Sequence, residues 1–189
     1  KAADAAYSMQ LKYASATPHL MAAAGAMAED NMAVAERALK NYLKQYPTDV
    51  AAIRMLAEVA SRLGRSYEAE HLLARCLELS PSFHFARQNY AHVLNLNNRS
   101  EKVMEQADIL LSADPSNLGY LNLKAVALSK TGDYVGAIAL YERVLADNPG
   151  YSKIWHSFGH TLKTAGLTER SIEAYRRSIA LEPTFGEAY

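Results

Sequence analysis

His156 and His160 lie four residues apart, a spacing that carries two imidazoles to one face of a helix, where both could reach a common metal ion. No third ligand accompanies them, and the plainer reading is a pair of polar residues on the open side of a helix. Cys76, the chain's one cysteine, cannot close an internal disulfide or build a multi-cysteine zinc site. It occupies an inward slot where a small side chain packs. With no adjacent base, and with burial raising a thiol's pKa, it reads as core and not as a nucleophile. Trp155 and Tyr175 could stack on a ligand, yet both fall at packing positions of the helical pattern. A nucleotide or sulfate donor needs backbone amides around its phosphates, normally from a glycine-rich loop between strand and helix. Neither a P-loop nor a GxGxxG is present, HExxH is absent, and no strands are predicted. The chain by itself is therefore predicted to be no enzyme, with no cofactor, no metal and no catalytic residues.

The remaining chemistry is that of a surface. Polar residues that the packing pattern does not use are Arg54, Glu58 and Arg62, then Gln88, Asn89, His92 and Asn95, then Asn122, Ser129 and Lys130. Lys153, His156, His160 and Lys163 complete the series. Asparagine and glutamine both donate to and accept from a peptide backbone, which suits an extended ligand. The series runs from amide-rich to basic, so a protein or an acidic, extended peptide is the predicted partner. An ordinary solvated face is the alternative, since every helical array has a polar side. Twenty Lys plus Arg balance twenty Asp plus Glu, leaving no global field to favour nucleic acid or a membrane surface. The single cysteine fits a reducing compartment, and the cytoplasm is the predicted location. No run of about 18 apolar residues points to a membrane span.

Punctuation residues fix the elements that carry this surface. Pro47, Pro81, Pro115, Pro149 and Pro183 are each 34 residues from the next. Proline lacks an N–H and clashes with the preceding helical turn, so each marks a place where a helix has ended. Gly64, Asn98, Gly132 and Gly166 keep the same spacing and supply the left-handed residue that a tight helix–helix turn needs. Apolar residues such as Ile53, Leu56, Ala57, Ala60 and Leu63 recur at helical spacing. The capping residues predicted for the second helix of each pair are Asn31, Ser66, Ser100, Asp133 and Thr168. Five repeats follow, at 16–49, 50–83, 84–117, 118–151 and 152–185. Residues 1–15 are predicted to hold an N-terminal capping helix over Ala2–Tyr13, and residues 186–189 to open a truncated sixth repeat. An uncapped C-terminal end predicts self-association or a covering segment.

The period and the residues in it resemble the tetratricopeptide repeat (TPR). Trp155, Phe158, Gly159 and Leu162 on a first helix, with Ser171, Tyr175 and Pro183 on a second, match its pattern best. Arg87 and Val103 depart from it, and Ala22, Ala23 and Ala26 leave the first repeat degenerate. This resemblance implies an all-α, right-handed superhelical array (α-solenoid) of antiparallel helix pairs, TPR type, whose first helices line a concave groove. The runs Asn122–Ala127, Gly132–Tyr141, Gly159–Thr164 and Tyr175–Tyr189 further resemble the N-terminal TPR region of bacterial TPR-sulfotransferase proteins. That implies a substrate-recruiting or regulatory module of a larger enzyme, whose catalytic residues would lie outside this chain. A free-standing adaptor or co-chaperone is the alternative. Chaperone-binding TPR domains hold a terminal carboxylate with Lys, Asn and Arg residues, a set that is incomplete here, since Gly119 and Leu123 fill two of the slots.

Overall fold

The computed structural model describes residues 18–183, so the predicted Ala2–Tyr13 helix and the Gly186–Tyr189 segment lie outside the described residues. Among the described residues every regular element is helical. The helices are α1 (Pro18–Ala28), α2 (Met32–Gln45), α3 (Val50–Arg62), α4 (Ser66–Leu79) and α5 (His84–Leu96). They continue as α6 (Ser100–Ala113), α7 (Leu118–Lys130), α8 (Tyr134–Asp147), α9 (Ser152–Thr164) and α10 (Thr168–Leu181). The chain divides into two compact units, Lys1–Asn98 with α1–α5 and Arg99–Tyr189 with α6–α10.

Each tight turn is built the same way. Asp30, Gly64, Asn98, Gly132 and Gly166 all have positive φ, between 56° and 90°, and are spaced by 34 residues. After the left-handed residue, the next N–H reaches back five residues: Arg65 to the Ala60 carbonyl (2.8 Å), Asp133 to Leu128 (2.9 Å), Leu167 to Leu162 (2.9 Å). These bonds satisfy carbonyls that a helix end would otherwise leave bare. Asn31 does the same to Ala26 (2.7 Å), with Asp30 as the left-handed residue, a role a short polar side chain tolerates. The degenerate first repeat hid that position.

The predicted caps are corrected in three places. Asn31 and Asp133 do cap, accepting from the N–H groups of Val34 (3.4 Å) and Gly136 (2.9 Å). Ser66, Ser100 and Thr168 are instead the first helical residues, and Arg65, Arg99 and Leu167 stand at the cap position with no side-chain cap bond. The left-handed residue and its returning bond set where the next helix begins, whatever side chain follows. Side-chain caps also open two of the first helices, where no such turn precedes them: Asp49 accepts from Ala51 and Ala52 (3.0 Å each), and Asn117 from Gly119 (3.1 Å) and Tyr120 (3.3 Å).

In the first unit one apolar cluster joins α1, α2 and α3 through Leu20, Ala23, Leu39, Tyr42, Leu56 and Val59. A second joins α3, α4 and α5 through Ala57, Leu73, Cys76, Ala86 and Val93. In the second unit Leu121, Ala125, Tyr141, Ile154, Phe158, Leu162 and Ala174 form the core of α7–α10. Cys76 is fully buried, and its thiol donates to the Val50 carbonyl at 3.4 Å. Burial pushes that thiol's pKa up to about 11. Small residues close the helix pairs: Ala57, Ala91 and Ala125 are fully buried, and Gly159 takes the same register position. The departure at Arg87 also has a physical account. Its guanidinium donates to the Pro81 carbonyl (2.6 Å), as the Trp155 indole N–H does to Pro149 (2.8 Å) two registers later. Either donor satisfies the carbonyl of the punctuating proline. Trp155 itself is half-buried against the core, 6.2 Å from Phe158 between ring centroids.

Candidate functional site

The polar residues of the first helices separate into those consumed by the fold and those left on the surface. On α3, Glu58 accepts from both Arg54 (3.1 Å) and Arg62 (2.8 Å), each one helical turn away. Arg62 also donates to the Met27 carbonyl (3.2 Å), and the Arg54 guanidinium lies 5.0 Å from the centre of the Phe85 ring. This stretch is thus a self-neutralised charge ladder. Beside it a cleft of ≈ 280 Å³ opens between α3 and α5. Asn89 and His92 stand in its wall, while Gln88 and Asn95 are half-buried and do not line it. Packing around the His92 ring lowers its pKa and favours the neutral imidazole. The apolar walls, Phe85 and Leu96, were not singled out from sequence. Both are exposed, at 51% and 62%, and their spacing with Asn89 and His92 makes one stripe along α5.

In the second unit a cleft of ≈ 330 Å³ is lined by α7, the start of α8 and α9. It brings together Lys130, His156 and His160, three of the five residues of the basic series. Lys153 and Lys163 are exposed on the first and last turns of α9 and do not line it. Asn122 is drawn into the fold, where its side-chain oxygen accepts from the Tyr141 hydroxyl at 3.2 Å. Burial raises the Tyr141 pKa, keeping that hydroxyl protonated as a donor. The His156 ring meets the Tyr175 ring edge-on, with centroids 5.5 Å apart. Ser157, Thr161 and Thr164 add hydroxyls that sequence reading passed over, although they share a face of α9 with His160. Among the described residues no group of three or more His, Cys, Asp and Glu is placed to hold a metal ion. No helix of the described residues is long and apolar enough to cross a membrane.

One apolar stripe on α10 is open. Ile172 and Ile179 are 45% and 50% exposed, whereas one register earlier, on α8, Leu145 is 5% exposed and Ile138 packs into the core.

Antiparallel helix pairs in a 34-residue register, with polar clefts on the first helices, define an all-α, TPR-type array that presents surfaces for binding. Residues 105–152 and 152–185 both match the tetratricopeptide repeat family. The chain is 28% identical over 154 residues to the peroxisomal targeting signal receptor of Eremothecium gossypii, a match covering 80% of this chain and 26% of that protein. It thus spans about a quarter of that relative's length. Among solved structures, MamA residues 41 to the end from Desulfovibrio magneticus RS-1 superposes with a TM-score of 0.77 at 15% identity, covering 93% of this chain and 96% of that one. Another MamA crystal structure gives 0.73 at 16% identity, covering 90% and 93%. YrrB, described as a TPR protein with an unusual peptide-binding site, gives 0.71 at 14% identity, covering 89% and 87%. At such identities the likeness is one of fold.

Proposed function

We propose that this chain is a protein-protein interaction scaffold that holds an extended peptide of its partner along the first-helix faces. The observation that carries this reading is that each unit opens a cleft onto those faces, one apolar-walled at α3–α5 and one cationic at α7–α9. Likeness in fold to a peptide-binding TPR protein, and in sequence to a receptor for a targeting signal, supports the same class of ligand. Lys130, Lys153, His156, His160 and Lys163 favour an acidic peptide, and Arg54, Glu58, Gln88, Asn89, His92, Asn95 and Asn122 are the further residues proposed to border the ligand. Exposed charge pairs give only about 0.2–1 kcal/mol each, so several contacts are needed and affinity should be modest. Titrating acidic and neutral peptides against the wild type and a Lys153→Glu, Lys163→Glu double variant tests the reading. The acidic peptide should bind more weakly to the variant and at higher salt. Equal binding by both proteins, or binding that ignores salt, would make the basic series a solvated face.

A second reading makes this scaffold the N-terminal region of a larger sulfotransferase. It rests on the Gly159–Thr164 and Phe185–Tyr189 runs, and the parent gene's sequence beyond Tyr189 decides between it and a free-standing adaptor in the cytoplasm. The open Ile172–Ile179 stripe is read as a contact between two copies of the chain. It carries Glu169 and Arg176 on the same helix, so an antiparallel pair of α10 helices can set opposite charges across the contact. A sedimenting monomer at high concentration would refute that contact.

A further inference from the structure

We propose that the α3–α5 cleft is a specificity pocket for one uncharged aromatic side chain that carries a hydrogen-bond donor on its ring edge, as tryptophan and tyrosine do. Such a pocket rests on the reading of the first-helix faces as ligand-binding and names the side chain that one of them selects.

Its walls are particular to this pair of repeats. Phe85 and Leu96 are exposed on α5, whereas the same register positions hold Ala51, Gly119 and Lys153 in the first case and Arg62, Lys130 and Thr164 in the second. Neither belongs to the apolar cluster that joins α3, α4 and α5, so the fold does not require a large apolar side chain at either place. Open apolar side chains gathered beside a cleft mark a contact surface. The floor is Ala57, Leu73 and Val93, none more than 4% exposed. At ≈ 280 Å³ the space lies just under the range of about 300–1,000 Å³ usual for small-molecule sites, and it suits one bulky side chain. The Phe85 ring offers a surface for stacking, and it is held by the Arg54 guanidinium at 5.0 Å, which does not itself line the cleft.

Charge in the wall argues against an ionised anchor. Glu58 is the one charged side chain lining the cleft among the described residues, and its two carboxylate oxygens accept from Arg54 (3.1 Å) and Arg62 (2.8 Å). An acidic anchor would meet that carboxylate with no cation in the wall, and a basic one would find its acceptor already taken. Either would lose its water without a partner.

Unspent hydrogen bonds then separate a polar-edged ring from a plain one. Ser61, Asn89 and His92 line the cleft, and their side chains have no hydrogen-bond partner among the described residues. Covering them with leucine or phenylalanine removes their water and returns nothing. An indole N–H or a phenol O–H returns a bond, to the side-chain oxygen of Asn89 or Ser61. The α7–α9 cleft differs, because its hydroxyls are spent on their own helix: Ser157 donates to the Lys153 carbonyl (3.1 Å), Thr161 to Ser157 (3.1 Å) and Thr164 to His160 (2.9 Å).

The test titrates the isotope-labelled full chain with the N-acetyl amides of tryptophan, tyrosine, phenylalanine, leucine and glutamate, followed by NMR. The tryptophan and tyrosine amides should shift the Asn89 side-chain amide and the Leu96 methyls, and bind about three- to tenfold tighter than the phenylalanine and leucine amides, the worth of one hydrogen bond. The glutamate amide should leave both signals in place. A Ser61→Ala, Asn89→Leu variant should lose the preference while still binding the phenylalanine amide. Leu96→Lys, at an exposed position and with the residue that α7 carries there, should weaken all four neutral probes about fivefold or more. Equal binding of the four neutral amides to the wild type, a glutamate amide that binds as tightly as tryptophan, or a preference that survives in the double variant would overturn the pocket. No shift with the tryptophan amide at its solubility limit would do the same. A panel of extended peptides that binds the first helices and leaves the Asn89 and Leu96 signals unmoved would overturn the pocket and keep the scaffold reading. Failure of both the amides and the panel to bind would overturn both.

Discussion

Gly159 sets the closest approach between two helices, and replacing it with alanine should destabilise the chain although alanine is the better helix former. In an unhindered helix interior that substitution gains about 0.8–1 kcal/mol. Here the new Cβ would fall 2.9 Å from both Cδ1 and Cε1 of Tyr175 and 3.1 Å from its Cγ. Carbon pairs prefer about 3.5–4.0 Å, so either the ring or α10 must retreat. The contact runs along the ring edge down to Cγ, and rotating the phenol tip gives no relief. Moving α10 strains the bond from Ser171 to the Gly159 carbonyl (3.0 Å), made at the same level. Overpacking of this kind costs about 1–3 kcal/mol, which leaves a net loss of about 0–2 kcal/mol after the propensity gain. The α7–α8 pair holds Ala125 with Tyr141 at the same two positions, so a backbone separation that accepts both exists and bounds the cost. A double-mutant cycle removes the ambiguity of a small net value. Tyr175→Leu copies the Ala57 and Leu73 pair of α3–α4, and in that background Gly159→Ala should become stabilising by up to about 1 kcal/mol. Urea unfolding followed by helical circular dichroism measures all four proteins. The reasoning fails if Gly159→Ala stabilises the wild type, or if its effect is the same in both backgrounds within about 0.5 kcal/mol.

Trp155→Phe should cost about 1 kcal/mol through loss of the indole bond to Pro149, and a value near zero would mean that water replaces the indole. Asp49→Ala removes the cap of α3 and the acceptor of the Tyr42 hydroxyl (2.9 Å), so denaturation should show a loss of about 1–2 kcal/mol, with Tyr42→Phe recovering only part of it. A larger loss in Tyr42→Phe than in Asp49→Ala would contradict this. Cys76, with its thiol pKa raised to about 11, should resist thiol reagents near pH 8 until the chain unfolds, and native labelling at the rate of a free thiol would place it outside the core.

The array was readable from sequence because its punctuation is backbone chemistry. Proline and left-handed residues act through φ and a missing N–H, and these depend on residue type alone. Side-chain caps were read less well, since at Ser66, Ser100 and Thr168 the turn had already fixed where the helix begins. The candidate surface was harder for a related reason. Helical spacing gives the direction in which a residue points but not what it meets there. Arg54 and Lys153 both point outward by pattern, yet one is held by Glu58 and lies over Phe85 while the other is exposed beyond the cleft that His156 lines. Asn122 followed the same pattern and was taken by Tyr141.

The two clefts also differ in a way that no single helix states. Phe85 and Leu96 are apolar residues at exposed positions, which a pattern search discards as exceptions to the polar side. Placed opposite Ala57 and the charge ladder of α3, they become the walls of a cleft without excess charge. Lys130 closes one helix and His160 sits in the third turn of another, 30 residues on, so only the packing of α7 beside α9 makes them neighbours. An apolar-walled cleft selects by area removed from water, which salt and pH barely change, whereas a cationic one selects by charge, which both change strongly. A ligand that engaged only the α3–α5 cleft would therefore bind with little regard to salt. One that engaged the α7–α9 cleft should weaken as salt is added, and comparing a leucine-rich with a glutamate-rich peptide across the same range of ionic strength separates the two contributions.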